Sequence, residues 1–177
     1  MTDLKHAEQY ALSDEDIRKV LGDDIKIIVY PELKNYTSIE DIFDSKGRCI
    51  LLFPNSTPTS GHWCCLLRKH AGIEFFNPYG KAPAATKTDH VAPALAKELD
   101  VNKPYLERLL KESGLPVYYN TERFQKISPN IATCGRWCAV RMMLFKLTLK
   151  QFKRVIKDSG MSGDEFVTAV IYNRLHK

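Results

Sequence analysis

The stretch Cys134-Gly135-Arg136-Trp137-Cys138-Ala139-Val140-Arg141-Met142-Met143-Leu144-Phe145-Lys146-Leu147 is apolar on nearly every side, interrupted only by Arg136, Arg141 and Lys146. A helix that is hydrophobic all round has to be buried, so this segment predicts a central helix around which the rest of the chain packs. The loop Asn120 to Thr133 leads into it. Beyond it, Thr148 with Gln151 and Ser162 with Glu165 are capping-box pairs that open two further helices.

Working backwards from the helix, the chain changes to short apolar runs bounded by turn residues. Ile25 to Tyr30 reads as a strand, Arg48 to Phe53 as a buried strand closed by Pro54, and Asn55 to Gly61 as a loop. Trp63 to Arg68 and Ile73 to Phe76, joined at Ala71-Gly72, predict a hairpin that ends at Asn77-Pro78-Tyr79-Gly80. Val117 to Tyr119 is a further short strand. Ser13 followed by Asp14, Glu15 and Asp16 caps a helix that stops at Gly22, and another short helix is expected from Ser38. Val91 to Leu99 and Tyr105 to Leu110 have helical spacing around Pro104. Helices and strands segregated in this way give an α+β fold, with a mixed central sheet packed on the buried helix that begins at Cys134.

The length of 177 residues suits one core, and residues 1–177 are expected to form a single domain without repeat, low-complexity tract or linker. With 44% hydrophobic and 27% charged residues the composition is that of a globular protein, not a collagen, coiled coil or disordered chain. No apolar run approaches the roughly 20 residues of a membrane span. Met1 to Tyr10 has no apolar core following a basic start, so no secretory signal is read there and a reducing compartment is expected. The five cysteines, at 49, 64, 65, 134 and 138, do not form a disulfide framework. Basic charge is C-terminal: residues 133–177 hold nine Lys or Arg against three acidic residues, whereas residues 1–132 hold seventeen against eighteen. Such a face suits either DNA phosphates, through salt-sensitive attraction, or plain solvation.

A thiol attacks a carbonyl as thiolate, helped by a neighbouring imidazole and by the positive end of a helix dipole. Cys134 opens the most apolar helix and precedes Gly135, where free backbone N–H groups also suit an oxyanion; its bland alternative is a small buried hydrophobe. His62, between Gly61 and Trp63 at a strand end, is the candidate base. Asn77, at the end of the paired strand, lies where hairpin geometry brings it beside His62, to orient the ring. Gln125 in the preceding loop is a candidate amide donor to an oxyanion. His6, His70, His90 and His176 read as surface residues. A zinc site built from His62, Cys64, Cys65, Cys134 and Cys138 is disfavoured by ligand spacing, because adjacent strand residues face opposite sides; no metal and no cofactor are expected.

The order Gly61-His62-Trp63, Phe75-Phe76-Asn77-Pro78-Tyr79-Gly80, Gln125, Pro129-Asn130-Ile131-Ala132-Thr133-Cys134-Gly135 resembles the adenain clan of cysteine peptidases. That clan includes the adenovirus maturation protease, the ubiquitin-like-specific proteases and the maturation proteases of virophages, polintons and large DNA viruses. The resemblance spans residues 60 to 140. It implies a papain-like cysteine protease fold with the permuted order His, Asn, Cys, with His62 as base, Asn77 as its orienting partner, Gln125 in the oxyanion hole and Cys134 as nucleophile. By the same resemblance Trp63 lines a narrow substrate slot, implying Gly-Gly or Gly-Xaa cleavage motifs; its alternative is a core Trp. Adenain has Glu at the position of Asn77 and a Gln-to-Cys interval shorter by two. No cysteine falls within 66–133 to receive a disulfide-linked activating peptide.

The expected function is therefore a cysteine endopeptidase, a viral maturation protease acting on capsid or core precursor polyproteins. It would work as a monomer in the virion and infected host cell, without a membrane, with DNA as a further partner through the basic C-terminal third. The alternatives are a deubiquitinase- or deSUMOylase-like isopeptidase, an acyltransferase of the same clan, which also runs through a thioester, and a non-catalytic basic DNA-binding module.

Overall fold

The computed structural model describes residues 2–177. Five strands, β1 (Lys26–Val29), β2 (Arg48–Thr57), β3 (Ser60–Lys69), β4 (Gly72–Phe76) and β5 (Val117–Tyr119), form one sheet in chain order. β1 is parallel to β2 and β4 to β5, while β2, β3 and β4 are antiparallel, so the sheet is mixed and the protein is α+β. Among the described residues the helices are α1 (Thr2–Ala7), α2 (Asp14–Leu21), α3 (Pro83–Thr86), α4 (Pro93–Glu98), α5 (Tyr105–Ser113), α6 (Cys134–Met143), α7 (Leu149–Asp158) and α8 (Gly163–Leu175), with 3-10 turns at Tyr30–Asn35 and Ile39–Ile42. None is long and apolar enough to cross a membrane.

Strand alternation divides the interior into two cores. Ile50, Leu52, Trp63, Cys65 and Leu67 face α6 together with Ile17 of α2, Phe152 of α7 and Ile171 of α8. Cys49, Leu51, Phe53, Cys64 and Leu66 face the opposite way, onto Leu33, Ile42, Leu106 and Leu109. Cys64 and Cys65 thus lie on opposite sides of the sheet. Because both faces are covered, β2 and β3 read as near-continuous apolar runs rather than alternating ones.

Helix α6 is the central one: every residue from Cys134 to Met142 is buried. Its arginines are accommodated by pairing, as burial of a charge requires. Arg141, fully buried, clamps Glu74 of β4 through Nε and Nη2 at 2.8 and 2.9 Å. Its guanidinium also donates to the carbonyls of Leu144 and Leu147 at 2.9 and 2.7 Å. Those bonds tie the chain just past the helix back onto its last turn, and the helix stops at Met143 instead of running to Leu147.

One local expectation changes, and two helices form where no local code announced them. The polar stretch Asn55 to Gly61 is not a loop: β2 continues to Thr57, turns at Pro58-Thr59 and returns as β3, with a register irregularity between Pro54 and Thr57. Pro54 removes one ladder donor, and a bulge is where a strand tolerates that loss. Helix α3 forms within the polar 81–90 segment, started by Pro83 at its first position. Residues 2–7 form α1, and the chain after it runs as a strap across the start of α6. The Glu8 carbonyl accepts from Ala132 N–H at 2.7 Å, the Tyr10 carbonyl accepts from the Arg136 guanidinium, and the Leu12 carbonyl accepts from Trp63 Nε1 at 3.3 Å.

Candidate active site

Asn77 is the best-determined member of the site. Its Oδ1 accepts from Tyr79 N–H at 2.8 Å, and its Nδ2 donates to Thr86 Oγ1 at 2.9 Å, whose own hydroxyl donates to the Ala82 carbonyl at 2.8 Å. A backbone N–H can only donate, so Oδ1 is an acceptor and the amide orientation is settled. His62 Nε2 lies 2.8 Å from that same Oδ1. The imidazole therefore carries its proton on Nε2, and Nδ1 is left with the free lone pair.

The hairpin explains this meeting. β3 and β4 pair with Cys65 opposite Phe76; continuing that register past the last pair sets Cys64 opposite Asn77 and His62 opposite Tyr79. Asn77 reaches His62 along the diagonal, and Tyr79 stacks on the imidazole with ring centroids 4.4 Å apart and planes 7° from parallel. The turn that carries both is held by Asn120, whose Oδ1 accepts from Asn77 N–H at 3.1 Å and whose Nδ2 donates to the Asn77 and Glu122 carbonyls at 2.6 and 3.0 Å.

Cys134 is the first residue of α6. Its sulfur accepts from the backbone N–H of Trp63 at 3.5 Å. Since that nitrogen is bonded to the carbonyl carbon of His62, the thiol and the histidine come from adjoining points of the fold. Gly135 permits the approach: a Cβ there would meet Trp63 Cδ1 at 3.2 Å and Leu12 Cβ at 3.3 Å. Gly61 permits it from the other side, since a Cβ on it would lie 1.9 Å from the Phe53 carbonyl oxygen.

His62, Gln125 and Cys134 line one open cleft of about 460 Å³, together with Ala11, Gly61, Tyr79, His90 and Ala132. Asn77, 1% exposed, stands behind His62. Gln125 is equally buried; its Nε2 is 3.4 Å from the Tyr79 hydroxyl, and its Oε1 has no hydrogen-bond partner among the described residues. Among those residues no hydrogen bond joins the His62 ring directly to the thiol.

Burial dominates the protonation of both central groups. It pushes the His62 imidazole down to about 4, against the Asn77 hydrogen bond and the Asp89 carboxylate, which favour the charged form. It pushes the Cys134 thiol up, against the backbone N–H groups of Trp63, Gly135 and Cys134 itself and the charge of Arg136. At neutral pH the pair is thus a neutral imidazole and a neutral thiol. The helix start stabilises a thiolate less than desolvation disfavours it, so Cys134 is not the acidic cysteine that its position in the sequence predicts.

Trp63 is also corrected. The residue is 5% exposed and packed in the core on Leu12 and Gly135, with Nε1 bonded to the Leu12 carbonyl. The side chain is not part of the cleft lining, and its backbone N–H is the part that meets the Cys134 sulfur. His90 lines the cleft as well as being exposed, a placement its polar sequence surroundings did not signal. Thr86, nine residues from Asn77, and Asn120, 43 residues from it, carried no mark of these bonds in the sequence; Tyr79, within the quoted Asn-Pro-Tyr-Gly run, had a signal that could have singled it out.

Fold and site together define a mixed α+β protein that brings a cysteine, an imidazole and a carboxamide to one end of its sheet. No protein-family model matches the chain. The uncharacterized protein V9 of Sputnik virophage is 38% identical to it over 176 residues, covering 96% of this chain and 99% of the virophage protein. The chain belongs to that virophage protein family. Among solved structures, the central domain of the uncharacterized Lpg1148 protein of Legionella pneumophila is similar at a TM-score of 0.42 and 17% identity, covering 92% of this chain and 96% of that one.

Proposed function

We propose that the chain is a cysteine endopeptidase of papain-like architecture. The observation that carries the reading is the 2.8 Å contact of His62 Nε2 with Asn77 Oδ1: it assigns the ring proton to Nε2 and leaves Nδ1 as a base on a residue that lines the same cleft as Cys134. A free imidazole lone pair and a thiol lining one cleft are the two groups that general-base activation of a sulfur nucleophile requires.

With both groups neutral, activation is by general base rather than by a standing ion pair. As a peptide carbonyl enters the cleft, His62 Nδ1 takes the Cys134 proton while Sγ bonds to the carbonyl carbon. The resulting oxyanion is met by the Cys134 backbone N–H and the Gln125 amide, and a donor of this kind contributes about 3–4 kcal/mol. The imidazolium, steadied by Asn77, returns its proton to the leaving amine as the C–N bond breaks. Water, deprotonated by the same nitrogen, then hydrolyses the thioester and frees the thiol.

Small wall residues, Ala11, Gly61 and Ala132, let an extended backbone approach closely, and the resemblance favours Gly-Gly or Gly-Xaa at the scissile bond. The resemblance and the virophage relative favour virion precursor proteins as substrates. The test is incubation of purified protein with candidate precursors, followed by mass spectrometry of the new termini. Cleavage at Gly-containing sites that disappears in Cys134→Ala, with the fold intact, is the expected result. Equal cleavage by Cys134→Ala would overturn the assignment.

A further inference from the structure

We infer that Asp164 is a positioning residue for the oxyanion-binding Gln125, acting through the backbone of Lys126; the inference rests on the peptidase reading and extends it to a residue outside the cleft's reacting groups. Asp164 lies in the first turn of α8 and is buried. Its Oδ1 accepts from Thr133 Oγ1 at 2.6 Å and from Trp137 Nε1 at 2.8 Å, and its Oδ2 accepts from Lys126 N–H at 3.0 Å. Thr133 immediately precedes the nucleophile, and Trp137 lies on the first turn of its helix. Lys126 immediately follows Gln125.

One carboxylate therefore ties the nucleophile's helix to the segment that presents the amide donor. The other side of Gln125 is tied elsewhere: its own N–H, like that of Phe124, donates to the Pro78 carbonyl, at 3.0 and 2.8 Å respectively. Pro78 belongs to the turn that holds His62. Gln125 is thus suspended between the histidine side of the cleft and the cysteine side, and Asp164 is the tether to the cysteine side. Without it, nothing among these bonds registers the amide against Sγ, and an oxyanion donor works only when it is fixed in place before charge develops.

The two oxygens can be separated experimentally. In Asp164→Asn the amide oxygen keeps the position that receives two donors, Thr133 and Trp137, while Nδ2 faces the Lys126 N–H, donor against donor. Thr133→Val, nearly isosteric, loosens the same tether from its other end. The readouts are acylation and turnover with an N-acylglycyl p-nitrophenyl ester, alkylation of Cys134 by iodoacetamide, and thermal unfolding. Alkylation is a displacement at a saturated carbon and forms no oxyanion.

For Asp164→Asn the expected result is a kcat lower by about tenfold or more, approaching the roughly 10²–10³ of a fully lost donor. KM and the alkylation rate should stay at wild-type level, with a smaller loss of the same kind in Thr133→Val. In a Gln125→Ala background Asp164→Asn should add nothing further, as expected for two residues acting through one interaction. Alkylation falling in step with kcat, or the full cost persisting without Gln125, would overturn the positioning role while leaving the peptidase reading in place. A wild-type protein that is never acylated at Cys134 would overturn both.

Discussion

Replacing Asn77 by Asp converts the neutral partner of His62 into a carboxylate at the same 2.8 Å contact. Burial holds the wild-type imidazole at about 4. An opposite charge in direct contact raises a pKa by about 1–3, which places the variant's imidazole at roughly 5–7, each unit being about 1.36 kcal/mol. The wild-type ring has a folded pKa below the unfolded value of about 6.5, so the unfolded chain binds the extra proton between these pH values. Stability from this group is accordingly full above about pH 6.5 and is lost as the pH falls towards 4; with discount for a half-buried ring it is on the order of 2 kcal/mol. In Asn77→Asp that window narrows or closes, so the variant should lose less stability on acidification than the wild type. Histidine ring nitrogens observed by NMR across pH 3.5–8 give the answer without any substrate. The wild type should show one ring protonated only at Nε2 and titrating near the acid end, and Asn77→Asp should move that titration upward. A ring that titrates at the wild-type value, or a wild-type Nδ1–H tautomer, would refute the assignment of Asn77 as orienting acceptor and of Nδ1 as base.

Alkylation of Cys134 by iodoacetamide should climb steadily with pH to beyond about 9, the ordinary thiol value from which burial raises it; a plateau below neutrality would mean a standing thiolate–imidazolium pair and sink the general-base scheme. Arg141→Met strands the Glu74 carboxylate in the core and should cost about 3–5 kcal/mol in denaturant unfolding; a cost within experimental error would contradict the clamp. Gly61→Ala forces a methyl into the Phe53 carbonyl 1.9 Å away, and overpacking of this kind costs about 1–3 kcal/mol. It should lower the melting temperature and disturb the His62 resonance together; an unchanged melting curve would refute the steric account.

What the sequence made legible were local codes. The Ser13, Thr148 and Ser162 caps form as capping boxes because each pairs with a residue three positions on. The all-round apolarity of residues 134–147 announces α6 because nothing but burial suits it. His62 and Asn77 could be joined on paper because a tight hairpin fixes which residues meet. The placement of Tyr79 opposite the imidazole needs the exact β3–β4 register, which the turn residues alone do not spell out. Asn120 and Asp164 were illegible for another reason: they act across 43 and 31 residues of chain, and an isolated Asn or Asp carries no mark of a distant partner. The direction of the Cys134 shift was misread because a helix start is visible in sequence and depth of burial is not.

The strap formed by residues 8–12 bears on when the thiol becomes a reagent. Ala11 is part of the cleft wall, and the guanidinium that grips the Tyr10 carbonyl comes from 126 positions further along the chain. A nascent or unfolded chain consequently carries an ordinary cysteine, unaccompanied by base or cradle. On the peptidase reading proposed above, base and cradle reach this thiol only after Tyr10 and Arg136 have met across those 126 positions, so catalytic competence would wait on the completion of folding.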